Sequence, residues 1–359
     1  MKILIDIGHP AHIHYFKELA KYFLKNNHTI LFTIREKEVV LFLIRKYNFD
    51  YISFGSGYES IFGKIFGYIK FSARLFFVAL KLKPDLIINA TPYSSIAAFF
   101  LRIPHISLED TFNMEQVRLY KPFTSVILTG DYQHPSLGEK EIRYKGYHEL
   151  AYLHPNYFNP NKTVLEDLGV KENDKYVIIR FVSWQATHDA GHKGISFENK
   201  IKAVKEFEKY AKVFISSESV LPPELERNRI KIEPHRMHDA ISFATLVIGE
   251  SFTMLSEAAV TGTPAVLVHD TKCYYLQEQQ HKYGLVFNYT ESEADQLKAI
   301  EKGVEILQTL NIKQQWQEKR KRMLADKIDV TAFMVWFVEN YPESVRVMRE
   351  KPEYQNRFR

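Results

Sequence analysis

The chain has 359 residues, enough for two compact domains, and its 45% hydrophobic and 25% charged composition is that of a globular protein. A net charge of +5 suits anionic ligands and is too small to indicate nucleic acid by itself. The lone cysteine, Cys273, excludes an intramolecular disulfide and a cysteine-based zinc cluster, and no apolar run approaches the roughly 20 residues of a membrane span. The start, MKILIDIGHP, lacks the apolar core and cleavage site of a signal peptide, so the expected setting is cytoplasmic.

In chain order, the first half alternates apolar strand runs with amphipathic helix patterns. Strands are predicted at 3–7, 28–33, 51–54, 85–89, 105–108 and 125–128, and helices at 14–26, 37–47, 60–83 and 94–101. Alternation of this kind predicts a parallel sheet covered by helices on both faces. The second half repeats the rhythm, with strands at 176–181, 213–216, 246–248 and 265–268 and helices at 200–210 and 254–261. HPNYFNPNKT, 154–163, is rich in Pro and Asn and has no periodicity, which makes it the best linker. The expected architecture is α/β: two doubly wound Rossmann-like domains, 1–153 and 164–326, with an interdomain cleft, then a helical tail at 327–359.

Several polar groups fall beyond the carboxyl ends of strands, where such folds bind ligands. GHPAH (8–12) joins the first strand to the first helix; Gly8 permits close backbone approach, and Pro10 suits a helix entry. His9 and His12 are candidates for a base or for holding a phosphate or sugar, and they also suit an ordinary helix start. His14 is already on the helix and reads as structural; the H-x-x-H-x-H spacing is not a helical zinc pair, and no metal site is expected. Glu109 and Asp110 follow the strand at 105–108. Either carboxylate can deprotonate an acceptor hydroxyl or orient a histidine that does, while Asp110 or Thr111 can also cap a short helix beginning near Phe112.

Arg180 ends the first strand of the second domain, and its planar fork matches two phosphate oxygens at once; a salt bridge at the strand end is the alternative. The loop WQATHDAGHKG (184–194) follows and carries His188. EPHRMHDAI (233–241) places His235 and Arg236 ahead of a helix whose Met237 and Ile241 read as core. In the first domain, IFGKIFGYIKFSARLFFVALKLK (61–83) has five basic residues, six aromatics and no acid. Lys70, Arg74 and Lys81 share a helical face; Phe62, Ile69, Ala73 and Leu80 line the opposite one, and Phe71 and Val78 flank the charges. Such a helix either leans on an anionic membrane surface, at the inner face of the membrane, or packs as a core helix with a solvated cationic edge.

TLVIGESFTMLSEAAVTGTPAVLVHD (245–270) is the most informative stretch. A buried strand leads into a small turn, Gly249, Glu250, Ser251, Phe252 and Thr253, and the helix at 254–261 stops at Gly262 and Pro264. Free N–H groups at the positive end of that helix, beside two hydroxyls, form a site for a phosphate or diphosphate. Glu257, an anion one turn in, fits a neutral hydrogen-bond donor such as a ribose diol.

This stretch is similar to the nucleotide-sugar segment of GT-B glycosyltransferases and of UDP-N-acetylglucosamine 2-epimerases. By that resemblance, Ser251, Phe252 and Thr253 bind diphosphate and Glu257 binds ribose, although the epimerases usually show a Gly pair where Phe252 and Thr253 stand. With MKILIDIGHPAHIHYFKELAKYF, the PHR and MHDA runs and KIDVTAFMVWFVENYP, nearly the whole chain resembles an archaeal and bacterial family placed within the GT-B group, one without a settled activity. The resemblance further implies that the loop with His188 faces phosphate, that His235 and Arg236 meet the nucleobase, and that the acid after the acceptor-domain strand is Glu109. It also implies a chain end that crosses back onto the first domain.

Three functions compete. The leading expectation is a metal-independent GT-B-type glycosyltransferase, with the nucleotide-sugar as substrate, no cofactor, and a glycan or lipid-linked acceptor. Residues 251–253 and Arg180 would stabilise the leaving diphosphate, and His9 or Glu109 would take the acceptor's proton. The absence of a D-x-D motif argues against a metal-chelated diphosphate. An epimerase related to the UDP-N-acetylglucosamine 2-epimerases is the alternative, with only Arg180 and His188 to act from the second domain. A non-catalytic nucleotide-sugar-binding protein of polysaccharide assembly is the third.

Overall fold

The computed structural model describes residues 1–58, 61–89, 93–182, 194–217 and 220–359. Two compact units compose it: Met1–Tyr157 with Lys327–Arg359, and Phe158–Asp326. The first unit runs β1 (Lys2–Ile7), α1 (Pro10–Lys25), β2 (Thr29–Glu36), α2 (Glu38–Lys46), β3 (Tyr51–Ser56), α3 (Ile61–Leu82), β4 (Leu86–Asn89), α4 (Tyr93–Leu101), β5 (His105–Glu109), α5 (Met114–Tyr120), β6 (Val126–Gly130), β7 (Glu141–Tyr144) and α6 (Leu150–Leu153). Its sheet is parallel throughout, in the order β3-β2-β1-β4-β5-β6-β7. Central strands covered on both faces must be nearly all apolar, as Ile3, Leu4, Ile5 and Ile7 are. The exception, Asp6, is wholly buried and is held by the Arg35 guanidinium and by the Thr33 hydroxyl at 2.7 Å.

The second unit runs α7 (Val164–Asp167), β8 (Tyr176–Phe181), α8 (Phe197–Glu208), β9 (Lys212–Ser217), α9 (Pro223–Glu226), α10 (Met237–Phe243), β10 (Leu246–Gly249), α11 (Phe252–Thr261), β11 (Ala265–Val268), α12 (Tyr274–His281), β12 (Val286–Tyr289), α13 (Glu293–Gln308) and α14 (Ile312–Asp326). Its parallel sheet has the order β12-β11-β10-β8-β9. The chain then returns to the first unit as α15 (Val330–Glu339) and α16 (Glu343–Glu350). There Thr331 Oγ1 donates to the Ala151 carbonyl (2.6 Å), Gln355 Oε1 accepts from Lys145 N (2.6 Å), and Phe333 stacks on Tyr144.

Both sheets are doubly wound. Strand order reverses between β1 and β4 in the first and between β8 and β10 in the second, the positions where open α/β sheets bind ligands. The loop of Gly8 and His9 leaves β1 at one of these points, and the turn of Glu250 and Ser251 leaves β10 at the other. Two strands escaped the sequence reading. β7 (EIRY) and β12 (VFNY) are four residues each, sit at sheet edges and are partly exposed, so neither carries an apolar run.

Gly249 is what lets β10 lie against β8 at the second reversal. It stands in register with Arg180, and a Cβ at this position would sit 2.1 Å from the Arg180 carbonyl oxygen. Backbone cannot yield as a side chain can. Gly249→Ala should therefore destabilise the second unit by about 3 kcal/mol or more, at or above the upper end of ordinary overpacking costs. Thermal unfolding together with limited proteolysis at Phe158–Asp326 checks this, and an unchanged midpoint would show that the approach is not tight.

Candidate functional site

At the second unit's reversal, Glu250 comes first after β10 and is 2% exposed. Its Oε2 accepts from Val182 N (2.8 Å) and its Oε1 from Ile195 N (2.7 Å), with Lys200 Nζ 3.7 Å away. One carboxylate thus fixes the two stems of the segment 183–193. His188 belongs to that segment and lies outside the described residues.

Ser251 is the N-cap of α11, its hydroxyl accepting from Met254 N (3.4 Å). The helix begins two residues earlier than its apolar pattern indicates, so Phe252 and Thr253 are its first residues, not turn residues. Their amides have no acceptor within the helix, and they point out of its positive end. The Phe252 ring packs on His269 with centroids 4.3 Å apart. Across the reversal, Arg180 Nη1 donates to Ser216 Oγ on β9 (2.8 Å).

Glu257 is 6% exposed and its Oε1 lies 2.9 Å from His238 Nε2 of α10. Helical spacing drew attention to Met237 and Ile241 and passed over His238 between them; its place in the PHRMHDA run was the only available signal. The carboxylate expected to meet ribose is therefore oriented by a histidine from the neighbouring helix.

Arg236 calls for a correction. Its Nε reaches Asp239 Oδ2 (2.9 Å), its Nη1 Asp167 Oδ2 (3.0 Å), and its Nη2 both Thr163 Oγ1 (2.9 Å) and the Asn161 carbonyl (3.4 Å). With four of a guanidinium's five N–H groups used, Arg236 is a staple between α10 and the chain leading into α7, and it is not placed to read a base. His235, in the turn before it, is partly exposed and lies 3.3 Å from the Glu233 carboxylate.

In the first unit, His9 is the N-cap of α1, its Nδ1 accepting from Ala11 N (3.3 Å), with Pro10 at the first helical position. Gly8 N donates to His12 Nδ1 (3.3 Å), and the two imidazole centroids are 5.9 Å apart. Burial first, then the neighbouring His9, pushes His12 down to about 3, so it is neutral at pH 7. A neutral imidazole that accepts through Nδ1 carries its proton on Nε2. His12 therefore carries a donor at Nε2 and does not offer a base there.

Glu109 calls for a second correction. Its Oε1 accepts from Thr111 N (3.0 Å), Thr111 Oγ1 (3.0 Å) and Phe112 N (2.7 Å), and its Oε2 from Tyr120 Oη (2.7 Å). Burial raises its pKa against the opposing pull of the Tyr120 hydroxyl. Oε1 is thus committed to the turn after β5 and Oε2 to Tyr120 of α5, so both carboxylate oxygens already hold protein donors. The helix cap in this region is Asn113, which accepts from Glu115 N and Gln116 N, and this releases Asp110 from capping.

Asp110 Oδ2 lies 3.0 Å from Nδ1 of His148, which is buried between the rings of Tyr15 and Tyr144. Burial pulls the His148 pKa down, but Asp110, through its charge and hydrogen bond, with Glu149 and Glu109, leaves it above 6.5. Burial likewise opposes ionisation of Asp110, and His148, His12 and His9 together still hold its pKa below the ordinary value. Among the described residues, His148 Nε2 and Tyr144 Oη have no hydrogen-bond partner, although both are buried. A carboxylate that orients a histidine through Nδ1 and leaves Nε2 unpaired is the arrangement of a general base. His148 follows the unpredicted strand β7, which is why the sequence reading missed it.

The family model described as a protein of unknown function, DUF354, matches residues 1–343. The chain belongs to this family. It is 26% identical to the uncharacterized protein MJ0665 of Methanocaldococcus jannaschii over 287 residues, 74% of this chain and 81% of that one. Among solved structures, the UDP-GlcNAc 2-epimerase of Neisseria meningitidis bound to UDP-GlcNAc is similar at a TM-score of 0.65 and 15% identity, covering 90% of this chain and 99% of that one. The spinosyn rhamnosyltransferase SpnG, complexed with spinosyn aglycone, is similar at 0.59 and 12%, covering 95% and 100%. The glycosyltransferase VinC, in complex with dTDP, is similar at 0.58 and 12%, covering 98% and 100%. These likenesses establish a shared α/β Rossmann-like fold of the GT-B kind.

The Asp110–His148 pair predicts a pH signature. A carboxylate with a depressed folded pKa contributes stability above its unfolded value near 4, and that contribution is lost as pH falls through the folded value. A histidine with a raised folded pKa contributes below about 6.5, and this is lost as pH rises through its folded value. Asp110→Asn should thus destabilise most between about pH 4 and 6.5, by about 3 kcal/mol, and progressively less outside that window. Denaturant unfolding of both proteins at pH 3, 5.5 and 9 measures the difference, and a pH-independent difference would mean the two groups are not a charge pair.

Proposed function

We propose that the protein transfers a sugar from a nucleotide-sugar donor to a hydroxyl-bearing acceptor, a glycan or a lipid-linked one. The observation that carries this reading is the β10–α11 turn, where the outward amides of Phe252 and Thr253 are followed one turn deeper by a histidine-oriented Glu257, with Arg180 in register with Gly249 on the neighbouring strand. Amides and guanidinium suit a diphosphate, and the carboxylate one turn deeper suits the hydroxyls of a ribose. These groups stabilise the negative charge that develops on the leaving diphosphate, and in this reading no further cofactor is required. In this reading His148 Nε2 is the base that takes the acceptor proton while Asp110 holds the ring. As the acceptor oxygen bonds to the anomeric carbon, the bond from that carbon to the diphosphate oxygen breaks and its electron pair leaves with the diphosphate.

The second reading is an epimerase: Glu109 is committed to the β5 turn and Tyr120, but Asp110 leaves that reading a strand-end carboxylate beside a histidine. Assay of released nucleoside diphosphate separates the two. Release that depends on acceptor supports transfer; interconversion of the sugar without acceptor supports an epimerase.

His148→Ala should lower kcat about 10²- to 10⁴-fold while leaving nucleoside diphosphate affinity unchanged. In the wild type, kcat should rise with pH through the raised pKa of His148, and Asp110→Asn should shift that limb to lower pH by removing the charge that raises it. A pH profile identical in the two proteins would remove His148 from the proton transfer.

Glu257→Ala should weaken nucleoside diphosphate binding by about 1.5–3 kcal/mol and leave inorganic diphosphate binding nearly unchanged. Titration calorimetry with both ligands decides; equal losses would place Glu257 away from the ribose.

A further inference from the structure

Helix α3 turns Phe71, Leu75 and Ala79 into the core, against Ala97 and Ala98 of α4. A second apolar line on its opposite side does not go inward. Phe66, Ile69, Phe77 and Leu80, with Phe99 and Phe100 at the end of α4, are between 50% and 68% exposed. Positions 66, 69, 77 and 80 fall within one narrow arc of the helix and extend for about 21 Å at 1.5 Å per residue. Crossover helices run antiparallel to the strands they join, so the last turns of α3 and α4 lie at the same edge of the sheet. There the apolar groups stand beside Lys81, Lys83 and Arg102, all exposed and none within ion-pair distance of a carboxylate among the described residues.

From residue 61 to residue 102 the chain has a single acid, Asp85, which accepts from Lys2 N (2.7 Å). Lys70 and Arg74 fold back onto their own unit, donating to Tyr58 Oη (2.9 Å) and the Phe54 carbonyl (2.8 Å). Among the described side chains of α3 and α4, the exposed cations that make no such bond are those at the ends of the two helices. No helix among the described residues is long and apolar enough to cross a membrane.

From this we infer that the outer face of α3 and α4 docks on an anionic lipid bilayer, inserting Phe77, Leu80 and Phe100 while Lys81, Lys83 and Arg102 meet lipid phosphates. Bulky apolar groups interleaved with unpaired cations match the boundary between acyl chains and anionic headgroups. A second copy is the poorer occupant, because a twofold contact pairs this patch with itself, and the patch brings cations with no carboxylate beside them to meet those of the other copy. The inference is independent of the proposed sugar transfer.

Co-sedimentation of the full chain with vesicles tests it. At low salt the wild type should bind vesicles of phosphatidylcholine and phosphatidylglycerol in equal parts at least tenfold more strongly than phosphatidylcholine alone, and rising salt should erase the difference. Leu80→Asp combined with Phe100→Asp should reduce binding at least tenfold. Lys81→Gln, Lys83→Gln and Arg102→Gln should each cost roughly fivefold on anionic vesicles and nothing on neutral ones. All five side chains are exposed, so circular dichroism and the unfolding midpoint should be unchanged. Wild-type protein that ignores anionic vesicles at low salt, or binds neutral ones equally, overturns the inference. So does a concentration-dependent dimer, seen by sedimentation velocity, that Phe77→Asp disperses.

Discussion

A parallel sheet brings its strand carboxyl ends and the following helix starts to one edge, and the backbone amides gathered there must be satisfied. In both units the carboxylate at the end of a central strand does this work. Glu109 collects Thr111 N and Phe112 N, while Glu250 collects Val182 N and Ile195 N. An unsatisfied buried amide costs about 1–3 kcal/mol, so each of these carboxylates is worth more to the fold as an acceptor than it would be as a base. The residue after each is thereby freed for other work. Asp110 turns to His148, and Ser251 caps α11.

The same edge sets the protonation of its histidines in opposite directions. Burial, then the neighbouring His9, pushes His12 down to about 3 against the pull of Asp110, whereas at His148 the charge and hydrogen bond of Asp110 outweigh burial and raise the pKa. A neutral donor and a base-forming histidine thus stand within one cluster, told apart by their neighbours and not by residue type. Sequence position alone treats them as interchangeable, because both are histidines at strand exits.

Much of the fold was legible because parallel strands covered on both faces have to be apolar runs, and β1, β8 and β10 are such runs. β7 and β12 were not, since edge strands of four residues carry no such obligation. That loss propagated to function: without β7 there was no reason to look at the loop after it, where His148 lies. The turn before α11 was readable from Gly249 and Ser251, but its side-chain commitments were not. Periodicity distinguishes faces of one helix; it cannot say that His238 from α10 meets Glu257 of α11, or that Asp167 and Asp239 occupy Arg236.

Helix α3 shows the same limit from the other side. A helix apolar on two faces has a weak amphipathic signal, and the pattern does not say which face the sheet will cover. The sequence sets Lys70, Arg74 and Lys81 opposite Phe62, Ile69, Ala73 and Leu80, with Phe71 and Val78 beside the charges, a pattern that fits either a membrane surface or a core helix with a cationic edge. In the structure the sheet and α4 take Phe71, Leu75 and Ala79, two of the cations bond to Phe54 and Tyr58 of their own unit, and the remaining apolar line faces out. Burying one line satisfies the unit's own core, so the fold gives no reason for the second. An exposed phenylalanine is unremarkable singly, but Phe66, Phe77, Phe99 and Phe100 on adjacent helices are a patch, and patches of this kind mark surfaces that meet something other than water.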